Sequence, residues 1–332
     1  MQAPIGSQIR AGRPSQRRDR AMSDEAAAIP PGPLCEATLG AAFDCSGHGL
    51  HTAKPAKARV SPAPIGHGVV FRRAVGGVAH DVPALWPNRR SRPLCTALQV
   101  GDGPLVRTVE HLLAALSAAA IDNALIEIDA EELPILDGSA EPWCALIEAA
   151  GRAEQDRPRR YIRVKKRVRY RAGDHKQTAE AAPEFRIYSA VTLSHFGQLR
   201  WEGRIDTESF RRELAPSRSF GRVKWALPGK IVGLFRKEPV LRGAHAGNTA
   251  ALWGKGAIGG LRFPDEPVRH RALDLVGDLS LAGMPIVGKM IAIRPGHEHN
   301  YGLLEMLMTT PEAWEVVTYD AEGRASRADE HG

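Results

Sequence analysis

Two short segments decide the fold and chemistry of this chain: Val109-Glu110-His111-Leu112-Leu113-Ala114-Ala115-Leu116 and Val268-Arg269-His270-Arg271-Ala272-Leu273-Asp274-Leu275-Val276-Gly277-Asp278. Each places a histidine beside a charged residue in a stretch that is otherwise typical of a helix. Together they offer two imidazoles and a carboxylate, the ligand types that bind a catalytic zinc ion. A zinc hydrolase is therefore the first hypothesis.

The second segment is predicted to place its polar residues on one helix face. His270 and Asp274 are four positions apart, so at about 3.6 residues per turn their side chains stand one above the other and can close on one ion. Asp278 lies within about 80° of His270, which suits a supporting or acid–base role. A His–Asp pair at this spacing is also common as a surface hydrogen bond, so the spacing alone leaves both interpretations open.

The first segment favours the metal site because its charged pair begins a helix that is otherwise apolar. Thr108 is predicted to cap this helix, which puts Glu110 and His111 in the first turn. Their side chains point about 100° apart, so one can bind an ion while the other addresses a water molecule. Two histidines and one carboxylate leave a fourth position open, as in catalytic rather than structural zinc sites.

A third polar cluster, Arg294 to Asn300, follows the apolar stretch Ile286 to Ile293, which is predicted to form a buried strand. The pair Gly296-His297 at the end of such a strand can present an imidazole to a cleft. Taken alone, this pattern favours a surface loop histidine.

These motifs and several others carry a family resemblance. The matching segments run in order from about residue 37 to about residue 320 and include residues 46–51, 63–73, 94–96, 108–116, 121–123, 134–140, 217–221, 260–278 and 296–300. In them the chain resembles the UDP-3-O-acyl-N-acetylglucosamine deacetylases, the zinc enzymes of lipid A synthesis in Gram-negative bacteria. Several unusual strings agree in sequence order, so the resemblance is specific.

The resemblance implies a role for each polar residue of the site. It implies that His111, His270 and Asp274 bind zinc. It also implies that Glu110 is the general base for the attacking water, and that His297 stabilises the oxyanion and protonates the leaving amine. The substrate implied is a UDP-linked, acylated amino sugar, from which the N-acetyl group is removed as acetate.

Further residues follow from the same resemblance. Asp278 matches the carboxylate that orients and charges the catalytic acid. Ser219 stands where the family usually has a threonine whose hydroxyl helps to hold the oxyanion, and the neighbouring Phe220 is a substrate-binding candidate. Arg271 stands where the family usually has a lysine, so the positive charge is kept on a side chain of different shape. Lys165 aligns with a lysine near the nucleotide diphosphate.

Strand patterns around each helix segment predict an α+β fold with two similar halves and a junction near residues 155–160. The resemblance implies a β-α-α-β sandwich of two sheet-plus-helix halves, each with a small insert. We expect a disordered basic tail over residues 1–33, a first domain over 34–156 and a second over 157–332. The insert at about residues 225–253 would form a hydrophobic passage for the acyl chain, although ordinary core packing explains its apolar residues equally well.

The composition indicates an ordinary globular protein, with 43% hydrophobic and 25% charged residues among 332. No apolar run approaches the roughly 20 residues that span a bilayer, and the N-terminus lacks a hydrophobic signal core. Four cysteines without metal-type spacing favour a reducing cytoplasm. We expect a cytoplasmic monomer, with at most peripheral contact with the inner membrane.

Two rival functions come from other classes. The net charge of +7 suggests nucleic-acid binding, but the basic residues between Ile162 and Tyr170 alternate with apolar ones, which predicts one half-buried strand. No zinc-finger spacing or recognition helix supports nucleic acid. The other rival is a non-catalytic homologue that binds a nucleotide sugar or zinc, and the complete set of acid, base and ligand residues argues against it.

Overall fold

A computed structural model describes residues 30–222 and 238–328 of the chain. These residues form a mixed fold of helices and strands, which is compatible with the predicted α+β class. Most of the predicted basic tail, and much of the insert predicted at about residues 225–253, lie outside the described residues. None of the described helices combines the length and the apolar character needed to traverse a lipid bilayer.

The helices of the described residues are α1 (Glu110–Ala118), α2 (Glu141–Ala150), α3 (Thr207–Glu213), α4 (Glu266–Leu279) and α5 (His297–Met308). Short 3-10 helices occur at Trp86–Asn88, Ser280–Ala282 and Pro311–Ala313. The strands up to the end of the first large sheet are β1 (Cys35–Leu39), β2 (Phe43–His48), β3 (Pro55–Pro62), β4 (Val69–Val75), β5 (Val78–Pro83), β6 (Arg89–Arg92), β7 (Cys95–Leu98), β8 (Val106–Arg107) and β9 (Ala124–Ile128).

The later strands are β10 (Arg152–Pro158), β11 (Tyr161–Val164), β12 (Val168–Ala172), β13 (His175–Glu180), β14 (Phe185–Leu193), β15 (Gly197–Arg204), β16 (Phe220–Arg222), β17 (Ala250–Trp253), β18 (Gly256–Ile258), β19 (Ile286–Ile293), β20 (Trp314–Tyr319) and β21 (Ala325–Arg327). Three small sheets have the orders β1-β10, β6-β7-β8 and β16-β17-β18.

The two largest sheets contain the same strand order. The first is β2-β3-β9-β4-β5, in which β4 and β9 are parallel and the other neighbours are antiparallel. The second contains β12-β13-β19-β14-β15, with the parallel pair at the corresponding place. A parallel pair requires a crossover connection, and α1 and α4 lie in the two crossovers. We call residues 43–128 the first repeat and residues 168–293 the second repeat.

Helices α1 and α4 pack directly against each other. At Gly277 of α4 an added Cβ would lie 2.1 Å from the carbonyl oxygen of Glu110 in α1, so the two backbones are nearly in contact. Apolar residues of both helices, among them Leu112, Leu116 and Leu273, belong to the main buried core. The first turn of α1 therefore lies beside the C-terminal half of α4, deep in the molecule.

Of the two strands predicted from local sequence patterns, one is confirmed and one is wrong. The strand predicted over Ile286–Ile293 is confirmed as β19. The single strand predicted from Ile162 to Tyr170 is wrong, because the chain forms β11 and β12 with a break at residues 165–167. β11 pairs with β19 and β20 whereas β12 pairs with β13, so different partners divide the basic run. The stretch predicted as a junction begins within β10, which pairs with β1.

We expect Gly277→Ala to lower the free energy of unfolding by about 1–3 kcal/mol, because the added methyl group forces the helix backbones apart. Urea unfolding measures this change. Gly256→Ala is the matched control, since no heavy atom lies within 4 Å of its added Cβ, and it should change stability by less than about 0.5 kcal/mol. Equal stability of the two variants would contradict the close approach of α1 and α4.

Candidate active site

His111, His270 and Asp274 lie together where α1 meets α4. Oδ1 of Asp274 is 3.4 Å from Nε2 of His270 and 3.8 Å from Nε2 of His111. One donor atom from each residue can be chosen so that all three lie within 4.8 Å of one another. The two imidazole rings meet edge to face, with centroids 5.2 Å apart. All three side chains are buried, so the group can enclose an ion away from bulk water.

The hydrogen bonding and protonation of this triad fit a divalent metal ion. Nδ1 of His270 lies 3.0 Å from the carbonyl oxygen of Ser217, which assigns the proton to Nδ1 and leaves Nε2 with a lone pair. Burial and the neighbouring His270 lower the pKa of His111 to about 3, and burial also lowers the pKa of His270. Oδ1 of Asp274 is buried without a hydrogen-bond partner. Two neutral imidazoles facing an unpartnered carboxylate oxygen are a suitable donor set for such an ion.

Glu110 and His297 face each other beside the triad. Oε1 of Glu110 lies 3.7 Å from Nε2 of His297, and Oε2 of Glu110 accepts a hydrogen bond of 3.0 Å from the backbone N–H of Thr96. Burial raises the pKa of Glu110 to about 8, against the opposing charge of His297. At this separation no further atom fits on the line between the two groups, but both line the cavity and can reach one reacting group that lies beside them, as acid–base chemistry requires.

A chain of buried polar groups holds His297 from behind. Nδ1 of His297 donates to Oδ2 of Asp278 over 3.0 Å. Asp278 also accepts hydrogen bonds from the hydroxyl of Thr96 and, over 2.8 Å, from the amide of Asn300, which in turn accepts one from Gln177. Burial opposes a charge on His297, but Asp278 and the neighbouring carboxylates outweigh it and raise its pKa to about 10. The imidazole therefore keeps a proton on Nε2, the nitrogen that faces Glu110.

These groups open onto a cavity of about 590 Å³. Ser219, Phe220 and Arg271 lie on its wall. The Arg271 guanidinium is 5.1 Å from the centroid of the Phe220 ring, and its Nη1 is 3.3 Å from Oδ2 of Asp274. The apolar part of the wall is formed by Leu50, Leu94, Leu241, Ala251 and Ile258. The cavity thus joins a buried polar end to an apolar surface, as in many small-molecule sites.

The structure does not bring Lys165 into this cavity. Its Nζ lies 3.6 Å from a carboxylate oxygen of Glu315 on β20, and Lys165 is not among the lining residues. The role of Lys165 at the diphosphate stays a prediction. Two further histidines of the cavity wall, His175 and His299, stack with ring centroids 3.6 Å apart. Neither was assigned a role from the sequence. Only the pairing of β13 with β19 could have indicated their proximity.

Two local predictions about the site residues are wrong. Thr108 does not cap α1: the N-cap position is Val109, without a side-chain bond, and Thr108 has a φ of 57°. His297 is not a loop residue, because it is the first residue of α5 after Gly296. Glu110 and His297 therefore each begin a helix, which fixes their backbones more firmly than a loop would.

A buried His–His–Asp triad, flanked by a carboxyl group and by an imidazole paired with aspartate, is the side-chain set of a metal-dependent hydrolase. The family model for LpxC, UDP-3-O-acyl N-acetylglycosamine deacetylase, matches residues 36–309. The chain belongs to this deacetylase family.

Relatives in three bacteria support the same membership, and each is named UDP-3-O-acyl-N-acetylglucosamine deacetylase. The protein of Shewanella woodyi is 34% identical over 283 residues, which cover 83% of this chain and 91% of the relative. That of Teredinibacter turnerae is 36% identical over 295 residues, covering 87% of this chain and 95% of the relative. That of Myxococcus xanthus is 37% identical over 283 residues, covering 84% of this chain and 88% of the relative.

We expect His270→Ala and Asp274→Ala each to lose bound metal, because removal of one of three protein ligands leaves two. Elemental analysis of the desalted protein after loading with zinc measures the metal content. His299→Ala is the matched control, since His299 lines the same cavity outside the triad, and it should retain the metal. Full metal content in both triad variants would rule out this site.

Proposed function

We propose that the chain is a zinc-dependent amide hydrolase that converts UDP-3-O-acyl-N-acetylglucosamine to UDP-3-O-acyl-glucosamine and acetate, a step of lipid A biosynthesis. The observation that carries the proposal is that Glu110 and His297, with facing atoms 3.7 Å apart, both line the cavity beside the buried His–His–Asp triad. This arrangement supplies a base and an acid next to three metal-ligand side chains, at the polar end of a cavity with an apolar wall. The names of the relatives supply the substrate.

In this proposal His111, His270 and Asp274 hold the metal ion. A divalent ion bound there would polarise the amide carbonyl and make a water molecule more acidic. Glu110 takes the proton of the attacking water as its oxygen bonds to the acetyl carbon. The backbone N–H of Thr96 holds one oxygen of Glu110, which leaves the other oxygen, the one nearer to His297, free to accept that proton.

His297 completes the reaction as the acid. Its Nε2–H stabilises the negative charge that develops on the carbonyl oxygen, and the Ser219 hydroxyl on the cavity wall adds a second donor. The C–N bond then breaks and the Nε2 proton passes to the departing amine, which leaves acetate and the free amino sugar. Asp278 fixes the orientation of the imidazole and favours its charged form.

The cavity wall suggests how the rest of the substrate is bound. Phe220 and Arg271 lie beside the triad, where an aromatic face and a guanidinium can contact the sugar and its phosphates. Lys165 remains a candidate for the diphosphate. We assign the acyl chain to the apolar wall and to the insert at about residues 225–253, whose first part, up to residue 237, lies outside the described residues.

The proposal extends to the organisation of the chain and its setting. We propose two domains, residues 34–156 and 157–332, that form a β-α-α-β sandwich with the helices between the sheets. The repeated strand order and the direct packing of α1 on α4 support this arrangement. We further propose a cytoplasmic monomer that meets its lipid-linked substrate by peripheral contact with the inner membrane and has no nucleic-acid partner.

The direct test is release of acetate from UDP-3-O-acyl-N-acetylglucosamine by the zinc-loaded protein. We expect turnover that a chelator abolishes and that added zinc restores. Absence of turnover by protein with full metal content would contradict the proposal and would favour the non-catalytic binding homologue.

We expect Glu110→Gln to retain zinc and to lose turnover by about 10²–10⁴-fold, the usual contribution of a general base. Glutamine keeps the shape of the side chain and an oxygen for the Thr96 N–H, but it cannot take the proton. Acetate release and metal content are measured on the same samples. Near-normal turnover in the zinc-loaded variant would assign the base to another group.

We expect Asp278→Asn to keep zinc and to reduce kcat by at least about tenfold, because the amide no longer favours the charged form of His297. Asp122→Asn is the matched control: Asp122 is a carboxylate paired with Arg159 outside the cavity, and its loss should leave kcat nearly unchanged. An equal kcat for the two variants would mean that Asp278 does not act through His297.

A further inference from the structure

The residue that leads into α1 has an unfavourable backbone conformation. Thr108 is buried and has a φ of 57°, in the left-handed region. A β-branched side chain in this region is a strong outlier, because its Cβ crowds the backbone. Such a conformation persists only when the surrounding structure holds it, and strain of this kind concentrates at functional sites. Thr108 lies two residues before Glu110 and three before His111.

Glu132 makes the side-chain contact that holds Thr108. Its Oε1 accepts a hydrogen bond of 2.9 Å from the Thr108 hydroxyl and one of 2.8 Å from the backbone N–H of His51. Its Oε2 accepts bonds of 2.8 Å from both the backbone N–H and the hydroxyl of Thr52. Glu132 is only 1% exposed, so water cannot easily replace these partners. A backbone bridge between Arg107 and Glu132 keeps the two segments side by side.

The same carboxylate also holds a loop of the cavity wall. An added Cβ at Gly49 would lie 2.1 Å from Oε2 of Glu132, so this loop packs directly on the carboxylate. The next residue, Leu50, lines the cavity, and its carbonyl oxygen accepts a hydrogen bond of 2.9 Å from the N–H of Gly243. Glu132 therefore contacts both the start of α1 and the loop opposite it.

The chemistry of the four contacts requires a carboxylate. Every partner donates, and two donors converge on each oxygen. A glutamine at this position would offer one accepting oxygen and would turn an N–H₂ group toward two donors. Because the site is buried, the unpaired N–H and hydroxyl groups would favour rearrangement of the segments that carry them.

We propose that Glu132 is a positioning residue for the reaction. By holding Thr108 in its left-handed conformation, it sets the start of α1 and thereby the location of Glu110 and His111 relative to the ligands on α4. This inference rests on the proposed function for its catalytic consequence. Its structural content, that Glu132 fixes the conformation of Thr108 and the placement of His111, can be tested without turnover.

The experiment compares Glu132→Gln in two backgrounds. In the otherwise unchanged chain, Glu132→Gln lowers kcat by about ten- to a hundredfold, the effect of misplacing a catalytic group by about 1 Å, with a much smaller change in KM. It also accelerates loss of zinc to a chelator. In a Thr108→Gly background the same substitution has a much smaller effect on both quantities, because glycine adopts this φ without an anchor.

Glu36→Gln is the matched control for charge and burial. Glu36 is a buried carboxylate that accepts bonds from the N–H of Gly66 and the amide of Asn123, outside the cavity. Glu36→Gln should leave kcat and zinc retention unchanged. The proposal would be overturned if Glu132→Gln changed kcat and zinc retention no more than Glu36→Gln does. It would also be overturned if Glu132→Gln lowered both quantities equally in the two backgrounds, because a role in stabilising the loop alone predicts no dependence on Thr108.

Two further variants keep the test decisive if Glu132→Gln fails to fold. Thr108→Val replaces the hydroxyl with a methyl group of similar size and should lower kcat and zinc retention, whereas Thr108→Ser keeps the hydroxyl and should retain both. Wild-type behaviour of Thr108→Val would overturn the proposal. If the unchanged chain releases no acetate, the proposed function fails, but zinc retention and amide hydrogen exchange over residues 108–113 still report the positioning role.

Discussion

The near contact of two helix backbones, at Gly277 of α4 and the carbonyl oxygen of Glu110 in α1, is the constraint on which the rest of the structure depends. Only a residue without a side chain permits this approach. It places the first turn of α1, with Glu110 and His111, beside His270 and Asp274 in the middle of α4. The repeated sheets on which these helices pack supply the apolar surroundings, so the polar groups meet inside a core.

A group of charges inside a core must be balanced, because isolated ions are costly to bury. The carboxyl groups of Glu110, Asp274 and Asp278 surround one charged imidazole, that of His297, and the imidazoles of His111 and His270 are neutral. This buried group therefore contains more carboxyl groups than positively charged side chains. A divalent cation at the triad would offset this excess, so an ion that served the proposed chemistry would also stabilise the buried polar group.

The sequence predicted what depends on near neighbours. The spacing of His270 and Asp274 follows from helix periodicity, and the mostly apolar run from Ile286 to Ile293 predicted its own strand. The features that the sequence did not predict depend on residues that are distant in the chain. Thr108 is held by Glu132 and not by its own helix, different strands divide the basic run after Ile162, and local patterns contain nothing that places His175 beside His299. The zinc hypothesis brought His111 together with His270 because their residue types suit a metal site, and the family resemblance implied the same, but no local pattern shows that the two segments meet.

The repeated strand order has a consequence for how the molecule assembles. One metal-ligand candidate, His111, belongs to the first repeat, and the other two belong to the second, so neither repeat contains a complete site. Contacts between residues so far apart in the chain close late in folding, after local structure has formed. During synthesis the first repeat leaves the ribosome before the second exists. An ion that binds at the triad would therefore be captured only after both repeats have docked, and its capture would report that the protein has reached its native state.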